Sequence, residues 1–160
     1  KHVAPRAGVV SLDDFFMPPG HENVQTAPWI AHRVYLRDED LKYRAKRNKF
    51  DKDVVVEALR RKMKSSKDDN EETNNSKRHI SRLEEYHARV YVTPNMEDET
   101  FEDPNMLPKD VVIWYHEDIG EILGWTYLHR VSPSGKRPFY KADFMPSEER
   151  FCGIGAAELL

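Results

Sequence analysis

Three kinds of hydrophobic spacing follow one another along this chain. Up to residue 30 there is no period. Prolines at 5, 18, 19 and 28 and glycines at 8 and 20 leave little room for a helix. The same stretch holds Val9, Val10, Leu12, Phe15, Phe16, Met17 and Trp29, which a solvated tail does not need. From residue 31 the spacing is helical. A first helix can start at Asp38, with acids in its first turn and cations later, as the helix dipole favours. A second can start at Asp51 or Asp53, with Val54, Val55, Ala58, Leu59 and Met63 on one face. Ile80, Leu83, His87 and Val90 repeat the helical interval behind a capping Ser76, although the closing "ARVYV" also suits a strand.

From residue 111 the period changes to two. "VVIWYH" is apolar on both pleat faces, as in a strand covered on both sides. In "GWTYLHRV" the residues Trp125, Tyr127, His129 and Val131 alternate with Thr126, Leu128 and Arg130. Ser132-Pro133-Ser134-Gly135 supplies a turn, and "RPFYKADF" reads as the returning strand.

The pattern predicts an α+β chain. Residues 1–30 form an N-terminal extended arm. Residues 31–92 form a segment with two or three amphipathic helices, interrupted by a polar loop at 65–76. An acidic, proline-broken extended segment spans 93–110. A small antiparallel β-sheet spans 111–146, built on a hairpin around residues 124–144. Residues 147–160 form a C-terminal tail or short helix. No internal repeat is visible, which disfavours a solenoid.

Composition adds that the core is small for the length. Charged residues make up 33% and hydrophobic ones 39% of the 160 residues, so much of the chain is solvated or buried on another molecule. The net charge of −3 hides segregation. Residues 41–67 carry eleven cations against three acids, whereas residues 68–121 carry fifteen acids against five cations. No run approaches the roughly 18 apolar residues of a membrane span, so any membrane association is expected to be peripheral. Cys152 is the only cysteine, which excludes an internal disulfide and a cysteine-built zinc site and suggests a reducing compartment. A start at Lys1 rather than Met fits either a processed protein, such as one freed of a mitochondrial presequence, or a fragment.

Candidate chemistry is sparse. His116-Glu117-Asp118 together with His129 could draw a metal if the two strands met, but a strand-end histidine bonding a carbonyl explains the residues more simply. Cys152 in "FCGIG" has acids close by and reads as a small buried hydrophobe. Neither a phosphate-binding G-x-x-x-x-G-K-[ST] loop nor a G-x-S-x-G elbow occurs. Aromatics interleaved with cations in 124–144 could stack bases. The alternation, however, puts Trp125 and Tyr127 on one face and Arg130 on the other, which favours ordinary packing.

The expectation is therefore a soluble, non-catalytic accessory or structural subunit of a large eukaryotic multiprotein complex. No catalytic, cofactor-binding or metal-ligating residue is assigned. A mitochondrial respiratory-chain complex is one such assembly, with the cytoplasm as the alternative compartment. Partner-binding residues are expected at Phe15, Phe16, Met17, Trp29, Phe101 and Met106, which anchor extended segments on other protein subunits. One alternative is an RNA-associated subunit, for example of an organellar ribosome, using Lys46, Arg47, Arg60 and Arg61 on the basic helices of 41–67, residues that could equally meet an acidic partner. The other is a small metal-dependent enzyme around His116, Glu117 and His129.

Overall fold

Two aspartates and one asparagine set the helices. Helix α1 (Asp38–Lys46) opens with Asp38, Glu39 and Asp40 and carries Arg44 and Lys46 in its last turn. It ends because Asn48 takes a left-handed φ of 55°, so that its N–H and that of Lys49 return to the carbonyls of Ala45 and Arg44. Helix α2 (Lys52–Asp68) is capped by Asp51, whose Oδ1 accepts the N–H groups of Asp53 and Val54 at 2.8 and 3.2 Å.

The computed structural model describes residues 8–68, 79–91 and 107–141. These residues form an α+β unit. A 3-10 turn (Leu12–Asp14) leads into β1 (Phe15–Phe16), followed by β2 (Trp29–Arg37), α1 and α2. Then come β3 (Ile80–Val90), β4 (Lys109–His116), β5 (Glu121–Tyr127) and the single turn α3 (Leu128–Val131). The strands lie side by side in chain order, each antiparallel to the next. The β4–β5 hairpin turns at 117–120, where Gly120 accepts φ +72° and donates its N–H to the His116 carbonyl.

Alternation gives the sheet two unlike faces. On the covered face, Leu36 and Leu83 meet Leu41, Ala45, Phe50 and Val55 of the helical layer. The register slips between Trp114 and Tyr115, which pair with Gly124 and Ile122. The extra residue of this bulge, Leu123, is fully buried in that core. Its carbonyl also accepts the Asp51 N–H at 2.6 Å, tying the start of α2 to the sheet.

The other half of the covered face lies under residues 132–141. Phe139 sets its ring edge-on to His87 at 5.1 Å and to His32 at 5.6 Å, and tilted against Phe15 at 5.6 Å. Gln25 latches this strap. Its Nε2 donates to the carbonyls of Arg137 and Phe139, and its Oε1 accepts the Arg137 N–H. The buried Arg137 guanidinium donates to the carbonyls of Val24 and Pro28 at 2.8 and 3.3 Å.

Three expectations change. Residues 80–90 are strand, not helix, although Ile80, Leu83, His87 and Val90 are spaced as on a helix. The face that packs is Ser81, Leu83, Glu85 and His87, in which two polar residues disguise the strand period. The hairpin around 124–144 does not form. β5 stops at Tyr127, and the Ser132–Gly135 turn sends the chain across the covered face to Gln25 rather than back along β5. Within the expected arm, Phe15 and Phe16 pair with His32 and Ala31 as an edge strand. The polar loop from residue 69, the 93–106 part of the acidic segment with Phe101 and Met106, and Cys152 lie outside the described residues.

Candidate functional site

Among the described residues, α1 and α2 leave the second face of the sheet uncovered, and it is rich in aromatics. Cross-strand pairing orders it into rows. One row runs Phe16, Ala31, Tyr86, Ile113, Trp125 across all five strands. The next runs Trp29, Ala88, Val111, Tyr127, and a third Arg33, Glu84, Tyr115, Ile122. Trp29 leaves 37% and Tyr35 55% of their surface exposed. The Trp29 and Tyr86 rings tilt together at 6.3 Å.

The charges between these rings are answered within the face. Arg33 lies 3.7 Å from Asp14 and 3.8 Å from Glu84, with its guanidinium over the Phe16 ring at 4.9 Å. Arg82 pairs with Glu117. The Tyr86 hydroxyl donates to Glu84 at 2.6 Å. Burial and that carboxylate push the phenol up to about 12, so it remains a donor throughout the physiological range. The result is an amphipathic aromatic surface with little net charge at its centre.

The expected separation of rings from cations after Tyr127 is not found. Helix α3 ends the alternation, so His129 and Arg130 both return to Tyr127. His129 stacks on its ring at 5.5 Å and 12°, and the Arg130 guanidinium lies 5.6 Å from its centroid. Lys109, from the start of β4, comes within 6.0 Å, and Trp125 meets the ring edge-on at 5.4 Å. Aromatics and cations therefore share one corner of the open face.

The covered face holds polar groups of a different kind. Glu85 accepts from Trp114 Nε1 at 2.7 Å and lies 2.9 Å from His87 Nε2. Burial works against its charge, but the bonds from His87 and Trp114 prevail and hold its carboxyl below the usual range. Such a group stabilises above its unfolded pKa and loses its contribution as pH falls through the folded one. At the other end, Lys62 Nζ donates to Asp38 at 2.6 Å and Ser81 at 3.4 Å. Near it, burial pushes His116 below its ordinary 6.5.

The His116 shift has a definite sign. The unfolded chain takes up a proton below pH 6.5 that the folded chain resists, so stability falls as pH drops from there. We expect His116→Gln to lose less stability than the parent between neutral pH and pH about 5.5. Urea unfolding at several pH values measures this, and parallel losses in both proteins would count against it.

The sequence-predicted residues are scattered. Phe16 and Trp29 lie on the open face, whereas Phe15 lies on the covered face against Phe139. Met17 follows β1 and is half-buried. On the helices, Arg60 and Arg61 both bind Glu57 and hold its carboxyl down at about 2. Arg47 lies over Tyr43, and Lys46 is exposed. Arg60 and Arg61 thus share a single carboxylate, and Lys62 pairs with Asp38. His116 and His129 do not converge. Tyr127 pairs with Val111, five residues or about 17 Å along β4 from His116, and His116 lies on the covered face. Among the described residues no group of three or more His, Cys, Asp or Glu is placed to hold a metal ion.

Sequence reasoning missed Tyr86, Ile113 and Lys109 as surface residues. The readable signal was the odd-numbered alternation of Trp29, Ala31, Arg33 and Tyr35 with a polar-aromatic outer face. No family model matches the chain, and no curated protein matches it.

Proposed function

We propose that this chain is a non-catalytic binding subunit of a larger protein assembly, and that the open face of its sheet is the contact with a protein partner. The observation that carries the reading is that face itself: Phe16, Trp29, Tyr35, Tyr86, Ile113 and Trp125 on one side of a sheet whose two long helices, α1 and α2, pack on the other. Aromatics with interspersed arginines mark the buried centre of protein interfaces, and paired charges lower the cost of desolvating them. The acidic, proline-rich sequence of 93–110 and the segregated charge favour a large eukaryotic assembly, with an accessory role in a mitochondrial complex as its setting.

Site-specific photo-crosslinking in native extracts tests the surface. A crosslinker at position 29 or 35 is expected to capture one discrete partner. The same group at Tyr43, equally exposed on α1, is expected to capture none. Trp29→Ala should weaken capture by about tenfold or more, as expected of a central aromatic anchor, with little change in melting temperature. Equal capture from position 43, or an unaffected Trp29→Ala, would overturn the reading.

A further inference from the structure

A cavity of about 370 Å³ opens at the corner of the sheet, lined by Lys109, Asp110, Tyr127, Leu128, His129 and Gly135. That size suits a small ligand. Its lining holds one cation, Lys109, and one carboxylate, Asp110, with Arg130 close by over the Tyr127 ring. Asp110 is already held by Arg89, whose Nε and guanidinium nitrogen lie 3.2 and 3.3 Å from its two oxygens. Lys109 and Arg130 are exposed, and neither pairs with a carboxylate among the described residues. Their recorded contacts are with the Tyr127 ring. A cationic ligand would meet two cations already placed at that ring, whereas an anion would relieve them. Tyr127 and His129 stack on each other, with Trp125 edge-on to Tyr127, and His129 is exposed, so a planar ligand would extend this stack on its outer side.

We propose that this corner binds a nucleotide, with its base against the Tyr127–His129 rings and its phosphate on Lys109 and Arg130. The chemistry recognised is a planar base joined to a phosphate. It can come from a free nucleotide or from one residue of a single-stranded nucleic acid. Stacking accepts any base, and two cations without a built phosphate loop select the phosphate by charge alone, so recognition is broad. Gly135, at φ +68° with nothing within 4 Å of its would-be Cβ, leaves the outer wall open for the sugar. The site does not rest on the partner reading. Trp29 stands three strands away from Tyr127, about 14 Å along the same row.

Titration calorimetry on the full chain at low salt tests it with AMP, adenosine, inorganic phosphate and an oligodeoxyadenylate of about ten residues. AMP is expected to bind, with adenosine and phosphate each about tenfold weaker or more. Lys109→Ala with Arg130→Ala should weaken AMP about tenfold. Because both side chains are exposed, this variant should keep its melting temperature. Tyr127→Leu should weaken AMP while leaving phosphate affinity unchanged, and Trp29→Ala should change neither. An oligonucleotide that binds tighter than AMP, with the same variant dependence, assigns the site to a single strand; equal or weaker binding assigns it to a free nucleotide. The proposal is overturned by no binding of AMP or oligonucleotide. It is also overturned by AMP affinity unchanged in the double variant, or by phosphate binding as tightly as AMP.

Discussion

Leu83→Ala is expected to remove about 3–4 kcal/mol of folding free energy. Leu83 is wholly buried in the first half of β3, where the sheet meets α1 and α2. Truncation forfeits the transfer energy of its methyl groups and leaves a cavity that strands paired on both sides cannot close. A domain of this size holds roughly 5–15 kcal/mol in all, so the variant should unfold at much lower urea with an unchanged slope. Val56→Ala, on the exposed side of α2, is the control and should stay within about 0.5 kcal/mol. If the two variants shift alike, Leu83 is not a core residue.

Gly124→Ala should cost about 2 kcal/mol, although alanine is intrinsically the better strand residue by about 0.5–1 kcal/mol. The contact decides the sign. A Cβ at position 124 would lie 2.5 Å from the Lys49 carbonyl oxygen and 3.4 Å from Phe50 Cα. Both are backbone and cannot swing aside. To make room, the segment joining α1 to α2 must lift, which strains the adjacent Asp51–Leu123 hydrogen bond and the seat of Phe50. A melting temperature several degrees lower is the expected readout. A variant more stable than the parent would mean that the helical layer sits further from β5.

The helix starts were legible because their causes are local. Acidic first turns and an aspartate cap act within four residues, so Asp38 and Asp51 announce α1 and α2 without help from the rest of the fold. That β4 is a strand was also legible, from its apolar run, and Val111 and Val112 are both buried.

Strand β3 was not legible, because the partners of its inward polar residues come from distant parts of the chain. Ser81 is within reach of Lys62, and Glu85 is bonded by Trp114. Until those partners are in place, inward Ser and Glu read as solvent-facing, and the remaining apolar residues fall by accident on a helical interval. The same applies to residues 136–141. Their alternation is that of a strand, but pairing beside β5 competes with Gln25, the carbonyls of Val24 and Pro28, and the His87 ring. Those contacts arise only once β2 and β3 have paired. The candidate sites share this origin. The open aromatic face exists because α1, α2 and the strap pack on the other side, and Arg130 reaches Tyr127 because the α3 turn replaces the alternation after that residue. Local sequence determines which way a residue would prefer to turn. Which face stays open depends on long-range pairing, whose energy is shared among residues far apart in the chain.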